Sequence, residues 1–164
     1  MQFLDNLRAR RLLRRAATLR RGGDSPAAID VLAPFLALHP NDVGANAEMA
    51  RALRVLEDPS GAEEHLRAAL AQVLDYTLVV ELAASFAEQQ RAAEAEDLLD
   101  SALFMTKGNP RLDPGEALLV RAAIAHAQGR DEDARAALDA IHPKRASRQT
   151  KAFAERLRGR LEPS

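Results

Sequence analysis

The chain has 164 residues, of which 47% are hydrophobic, 29% charged and 4% aromatic, and its formal net charge is −1. This composition is too apolar for a disordered chain and too charged for a protein that lies largely within a membrane. The chain contains no cysteine, which excludes disulfides, thiolate catalysis and cysteine-ligated zinc.

The first predicted element is a long helix over residues 2–21, which contains seven arginines and one aspartate. Its opening sequence, MQFLDNLRARRLLRR, has arginine where a signal peptide needs its apolar stretch, so we expect an unprocessed, cytoplasmic chain. No stretch of the sequence approaches the roughly 20 consecutive apolar residues that a membrane-spanning helix needs.

Eight further helices are predicted after it, because breaks rich in glycine and proline recur at intervals of roughly 12–20 residues. Short turns between helices of this length favour antiparallel pairs. β-Branched and aromatic residues are too sparse for several strands. The sequence therefore predicts nine helices and no sheet.

The second helix of each predicted pair shows one recurring spacing, an alanine followed one helical turn later by a large apolar residue. In chain order these are Ala28 and Leu32, Ala62 and Leu66, Ala95 and Leu99, and Ala134 and Leu138. The alanines recur at nearly constant intervals, except that the last interval is longer and contains a short insertion at residues 108–113. Small residues at such positions let paired helices approach closely, so we expect these residues, Leu99 among them, in a core.

The first helix of each pair has a related pattern. A large residue is followed three positions later by a large–small pair, and another large residue follows three positions after the small one. Residues Val79, Leu82-Ala83 and Phe86 fit it fully, and Met49-Ala50 with Leu53 fit most of it. Together, the two patterns resemble the tetratricopeptide repeat (TPR) family, whose repeat is a helix-turn-helix of about 34 residues. The resemblance covers residues 9–141, although the tryptophan and tyrosine typical of the family are absent and only Pro40 stands at a repeat end.

The resemblance implies an all-α fold, a right-handed α-solenoid of about four helix pairs in a single domain over residues 1–164. The expected repeats span residues 9–42, 43–75, 76–109 and 115–143. Residues 145–161 are predicted to form a final capping helix with Phe153, Leu157 and Leu161 on its packed stripe, since a solenoid would otherwise end on a bare apolar face.

No motif for catalysis, metal binding or cofactor binding is present in the sequence. The four histidines form no His-x-x-x-His or Glu-x-x-His pair, the serines lack a nucleophile-elbow context, and no glycine-rich phosphate loop is found. We therefore expect no catalytic residue, no metal and no cofactor, and a protein that is not an enzyme.

In the TPR family the first helices line a concave groove, and the resemblance places eight candidate partner-binding residues there. They are Arg10, Arg14, Arg51, Arg54, Val80, Glu81, Leu119 and Val120. The four arginines are expected to bind an acidic stretch or chain terminus of a partner, because a guanidinium donates two hydrogen bonds to one carboxylate. The alternative is that these arginines are solvated surface residues, and Glu48 offsets part of their charge. The carboxylate clamp of chaperone-binding members is missing, since Leu13, Ala17 and Glu48 stand at its places.

The leading interpretation is a scaffold or adaptor that binds a peptide or another subunit in the groove. The alternative is a peripheral membrane-associated assembly factor, in which Phe3, Leu4 and Leu7 beside the arginines lay the first helix on an anionic bilayer. Self-association is also expected, because residues 1–21 and 141–160 each sum to +6 and residues 22–140 to −12. Nucleic-acid binding is not expected, since aromatics for stacking are few and the acidic middle repels phosphate.

Overall fold

A computed structural model describes residues 2–109 and 111–162, and for residues 2–6 it describes the backbone alone. Within these ranges the chain forms nine α-helices and no strand, which confirms the predicted all-α repeat fold. The helices are α1 (Gln2–Arg21), α2 (Ser25–Leu38), α3 (Val43–Val55), α4 (Pro59–Leu70), α5 (Tyr76–Glu88), α6 (Ala92–Lys107), α7 (Gly115–Ala127), α8 (Asp131–Asp139) and α9 (Arg148–Leu161). None of the helices, over the residues described, is long and apolar enough to cross a membrane.

The chain divides into two compact units, Met1–Gln89 with α1–α5 and Gln90–Ser164 with α6–α9. We call them unit 1 and unit 2. The expected single domain and the expected repeat boundaries stay predictions.

In unit 1 each helix packs against the next one along the chain, and α1 also contacts α3, as α3 contacts α5. The odd-numbered helices of this unit are therefore lateral neighbours. Ala28, Leu32, Ala62 and Leu66 are completely buried, which confirms that the recurring alanine and the large residue after it belong to the core. Their burial removes apolar area from water at about 25 cal/mol per Å², the main stabilising contribution of such a repeat.

In unit 2, α7 packs against α6, α8 and α9, and α9 also packs against α8. Leu99, Ala134 and Leu138 are completely buried. The core cluster of this unit includes Leu157 and Leu161 of α9, so this helix covers the apolar face of the last helix pair.

The packed stripe of α9 differs from the predicted one at Phe153, whose surface is 47% exposed. The buried residues of the helix are Thr150, Ala154, Leu157 and Leu161. Because an α-helix turns about 100° per residue, Phe153 lies about 80° around the helix from Leu161. The prediction that Phe153 shares the packed stripe was wrong for this reason.

The turn before each of α2, α4, α6 and α8 contains one residue with positive φ. These residues are Gly23 (φ 89°), Glu57 (φ 60°), Gln90 (φ 61°) and Gly129 (φ 72°). Each of them precedes the recurring core alanine of its helix by the same number of positions, so the two sets share one spacing along the chain. The repeat is thus encoded in the backbone of the turns as well as in the core, although only two of the four positions are glycine.

Four of the helices of unit 1, α2 to α5, begin on aspartate side chains. Asp24, Asp42, Asp58 and Asp75 each accept a hydrogen bond from a backbone N–H in the first turn of α2, α3, α4 and α5. Such caps satisfy amides that have no partner within the helix. In unit 2 the positions equivalent to Asp24 and Asp58 hold Arg91 and Arg130, which instead form ion pairs with Glu94 and Asp133 in the first turn that follows.

Candidate protein-binding surface

An ion pair joins the first two odd-numbered helices of unit 1. The Nε of Arg20 in α1 donates to Oε1 of Glu48 in α3 at 2.5 Å. The Glu48 residue is only 5% exposed, so its carboxylate requires a charged partner to offset its desolvation. Arg51, one turn further along α3, also lies 3.7 Å from the second oxygen of this carboxylate.

The same arrangement joins α3 to α5. Oε1 of Glu81 accepts from Nε of Arg51 at 2.6 Å, and Oε2 accepts from Nη1 of Arg54 at 2.7 Å. The Nε of Arg54 also donates to Glu88 at 2.9 Å. The residue Glu81 is 7% exposed, and both of its oxygens are held by guanidinium groups.

Two of these contacts are equivalent by repeat. Arg20 and Arg54 are one repeat length apart in the sequence, and so are their partners Glu48 and Glu81. We call the connected set Arg20, Glu48, Arg51, Glu81, Arg54 and Glu88 the arginine–glutamate ladder. It ends at α5, because the positions equivalent to Arg54 and Glu81 in the following repeats hold Ala87 and Val120.

The ladder changes the interpretation of two predicted site residues. From the sequence, Arg51 and Arg54 formed a cluster of like charge with only Glu48 as an offset. In the structure both are partly buried and hold glutamates of the neighbouring helix. The signal in the sequence was a glutamate at about one repeat length after each arginine, Glu81 after Arg51 and Glu88 after Arg54.

The other two predicted arginines, Arg10 and Arg14, lie on α1 and are exposed. Arg11 and Arg15 beside them are also exposed, and none of these four side chains forms an ion pair or hydrogen bond with the residues that the structure describes. Arg10 and Arg14 lie about 60° and 100° around α1 from Leu13, whereas Arg11 and Arg15 lie about 160° from it. A methyl group of Leu13 would lie 2.8 Å from a Cβ at Gly44 of α3, so Leu13 marks the side of α1 that faces α3.

Two predicted groove residues are hidden from solvent. Val80 is 3% exposed and Glu81 is 7% exposed. The helix α5 packs against both α3 and α4, and ten of its 13 residues are buried. Glu81 anchors the ladder and Val80 is largely buried, and the role of these two residues in partner binding stays a prediction.

The last two predicted residues, Leu119 and Val120, lie half-buried on α7 of unit 2. Leu119 packs against the core of that unit. The adjacent Arg121 donates to Glu96 of α6 at 2.9 Å and is also paired with Asp100. In both units, then, arginines of odd-numbered helices pair with carboxylates of another helix.

Several polar side chains of unit 2 form further structural contacts. A surface cavity of about 250 Å³ in unit 2 includes Arg135 and Arg158, which donate to the backbone carbonyls of Leu161 and Leu138 at the ends of α9 and α8. His126 Nδ1 lies 2.8 Å from Asp131. The described part of the chain contains no group of three or more histidine, aspartate or glutamate residues that could hold a metal ion.

The structure describes only some of the side chains that were predicted to place α1 on a membrane. The side chains of Phe3 and Leu4 lie outside what the structure describes, and Leu7 is 38% exposed.

The chain is similar in structure to a solved TPR protein. No protein-family model matches it, and no curated protein matches it. The crystal structure of a thermophilic TPR protein from Thermus thermophilus superposes with a TM-score of 0.66 at 20% sequence identity, covering 93% of this chain and 82% of that one. This chain has a TPR fold. The TPR fold accounts for the recurrence of the helix pairs and core alanines, while the chemistry of any partner depends on the surface described above.

Proposed function

We propose that this TPR-fold chain is a non-enzymatic scaffold that binds an acidic segment of another protein on the surface formed by α1 and α3. The support comes from the fold and from the lateral contact between these helices. Extended arrays of this kind present a continuous binding surface that one chain can follow.

The observation that carries the proposal is the set of exposed arginines on α1 that lack an ion pair among the described residues. Arginines that stabilise this fold, such as Arg20 and Arg54, are held by buried glutamates. Arg10 and Arg14 lie nearer than Arg11 and Arg15 to the side of α1 that faces α3 and stand one helical turn apart, a spacing at which like charges destabilise a helix. A partner carboxylate would remove this repulsion and accept charge-assisted hydrogen bonds.

The ladder gives this surface its rigidity. It fixes the arginines of α3 through carboxylates that are themselves buried, so a bound segment does not have to order them. Preorganisation of this kind lowers the entropy lost on binding. The side chains of Arg51 and Arg54 remain 29% and 20% exposed and can donate further to a segment that crosses from α1.

The test is affinity capture with the full chain from an extract of its source, quantified by mass spectrometry. The wild type is compared with Arg10→Gln/Arg14→Gln and with the matched control Arg11→Gln/Arg15→Gln, which removes the same charge from the far side of the same helix. We expect the captured amount of a reproducibly recovered partner to fall by about tenfold with the first variant and by less than about threefold with the control.

Equal recovery of all partners with both variants would remove α1 as the binding surface. An equal loss with both variants would show that only the total charge of α1 matters and would contradict a site at the border with α3.

A further inference from the structure

A second surface with unpartnered groups lies on α9 in unit 2. Phe153 is 47% exposed, and the guanidinium carbon of Arg156 lies 5.5 Å from the centre of its ring. Arg160 follows one turn later and is exposed. At about 100° per residue these three side chains fall within about 60° of one another around the helix, so they form one row, which we call the α9 row.

The helix that carries this row is firmly held. The adjacent face, with Leu157 and Leu161, is buried in the core of unit 2, its first turn is capped by Ser147, which accepts from the Thr150 amide at 3.0 Å, and Arg158 binds the Leu138 carbonyl. The α9 row therefore has a fixed position on a rigid support. Such a support favours a specific contact over a mobile, solvated one.

Among the residues that the structure describes, no carboxylate is paired with the arginines of the row. Glu155, the only acidic residue within α9, is engaged by Arg158 at 3.0 Å. Over the described residues Arg160 has no ion pair, and Arg156 contacts only the ring of Phe153. This differs from α7, where Arg121 is paired twice.

We propose that the α9 row is a second docking site, separate from the surface of α1 and α3, for an acidic segment of a partner protein that carries an apolar side chain. The apolar side chain would cover the exposed part of Phe153, and carboxylates on either side would bind Arg156 and Arg160. Phenylalanine and arginine are both enriched in protein interfaces relative to the rest of the protein surface.

The chemistry of the row favours a protein over other anionic partners. Binding to a bilayer requires a broad apolar face, whereas Phe153 is the one exposed large apolar residue within the described part of α9. Single-stranded nucleic acids are bound by several stacking aromatics in succession, and this row offers one.

The experiment is a fluorescence-anisotropy titration of the full chain with a labelled 14-residue peptide of our design, in which glutamates flank two leucines on one helical face. A second peptide with glutamine at every glutamate serves as the uncharged probe, and a 12-nucleotide single-stranded DNA serves as the nucleic-acid probe. Variants are Phe153→Ala, Arg156→Gln/Arg160→Gln and the matched control Arg148→Gln/Lys151→Gln. The control removes the same charge about 140–160° around the helix from Phe153.

We expect the acidic peptide to bind about tenfold more weakly to Arg156→Gln/Arg160→Gln and about fivefold more weakly to Phe153→Ala, with less than about twofold change in the control. The glutamine peptide should bind at least about tenfold more weakly than the acidic one. All titrations are repeated in Arg10→Gln/Arg14→Gln, so that binding to α1 is separated from binding to α9.

Three outcomes would overturn the proposal. They are an equal loss of binding in the control and in Arg156→Gln/Arg160→Gln, an affinity that does not depend on Phe153, and a Phe153-dependent affinity for the oligonucleotide alone. Circular dichroism of each variant checks that the helices are retained, which is expected because all substituted side chains are exposed.

Discussion

Two arginine pairs, Arg10 with Arg14 on α1 and Arg51 with Arg54 on α3, lie on neighbouring helices of one compact unit, yet their surroundings differ. Arg51 and Arg54 hold the carboxylate of Glu81, which is 7% exposed, whereas Arg10 and Arg14 are exposed and unpaired among the described residues. The difference arises from the next odd-numbered helix, which supplies a buried glutamate to Arg51 and Arg54 and none to Arg10 and Arg14. Arginines of equal appearance in the sequence thus divide into some that stabilise the fold and others that are available to a partner.

The largest expected effect comes from removing the arginines of α3. In Arg51→Ala/Arg54→Ala the buried carboxylate of Glu81 loses both partners, and we expect the free energy of unfolding to fall by about 3–5 kcal/mol. Urea denaturation followed by circular dichroism measures it. The matched variant Arg10→Ala/Arg14→Ala should change it by less than about 0.5 kcal/mol. A similar loss in both variants would abolish the distinction between the two helices.

A smaller effect is expected when the shared acceptor is made neutral. Glu81→Gln keeps the shape of the side chain but replaces two charge-assisted contacts, and we expect a loss of about 1–3 kcal/mol. The variant also leaves Arg51 and Arg54 without their main counterion, so they should resemble the arginines of α1 and bind the acidic peptide more tightly. Thermal unfolding measures the loss of stability, and an anisotropy titration measures the affinity for the acidic peptide. Weaker peptide binding by Glu81→Gln would contradict the expected gain in affinity.

The outer contact of the ladder should contribute less, because Glu88 is 42% exposed at its side chain. A double-mutant cycle with Arg54→Ala and Glu88→Ala should give a coupling energy of about 0.2–1 kcal/mol. It should decrease when the salt concentration rises from about 0.05 M to about 0.5 M, since exposed pairs are screened. A coupling as strong as that between Arg54 and Glu81 would show that burial does not set the strength of these pairs.

The smallest effect has the opposite sign. Arg10 and Arg14 repel each other across one helical turn, so Arg10→Gln alone should stabilise the chain by about 0.2–0.5 kcal/mol at low salt. The gain should vanish near about 1 M salt, where the screening length falls to about 3 Å. Destabilisation by this change would indicate that Arg10 has a structural partner.

Sequence patterns predicted the fold well because its core is periodic. Ala28, Ala62, Ala95 and Ala134 are completely buried, as the recurring spacing indicated. The burial of Val80 and the exposure of Phe153 were not predicted, since each depends on how many neighbours surround a helix and on small rotations along it. The predicted role of Arg10 and Arg14 in partner binding stays a prediction.

The ion pairs were the structural feature that was hardest to predict from the sequence. Arg51 and Glu81 are separated by somewhat less than the repeat length, and the hydrogen bond of 2.6 Å between them depends on the packing of α3 against α5. A search for a glutamate 27 or 28 residues after an arginine, repeated one repeat length later, would have found Arg20 with Glu48 and Arg54 with Glu81 together. Such a search assumes the repeat register, which the core alanines supply.

The four turn residues with positive φ have a consequence for how this chain can be rebuilt. Residues 24–57 and 58–90 each begin directly after one such residue and end on the next, so both segments are bounded by residues of positive φ. A copy of either segment inserted at one of these joints would therefore meet matching ends. Glu57 and Gln90 adopt this conformation at a steric cost of roughly 1 kcal/mol, which glycine would not incur. The turns with positive φ are therefore the positions at which a repeat could be removed, or at which a copy could be inserted to give a longer and more stable chain.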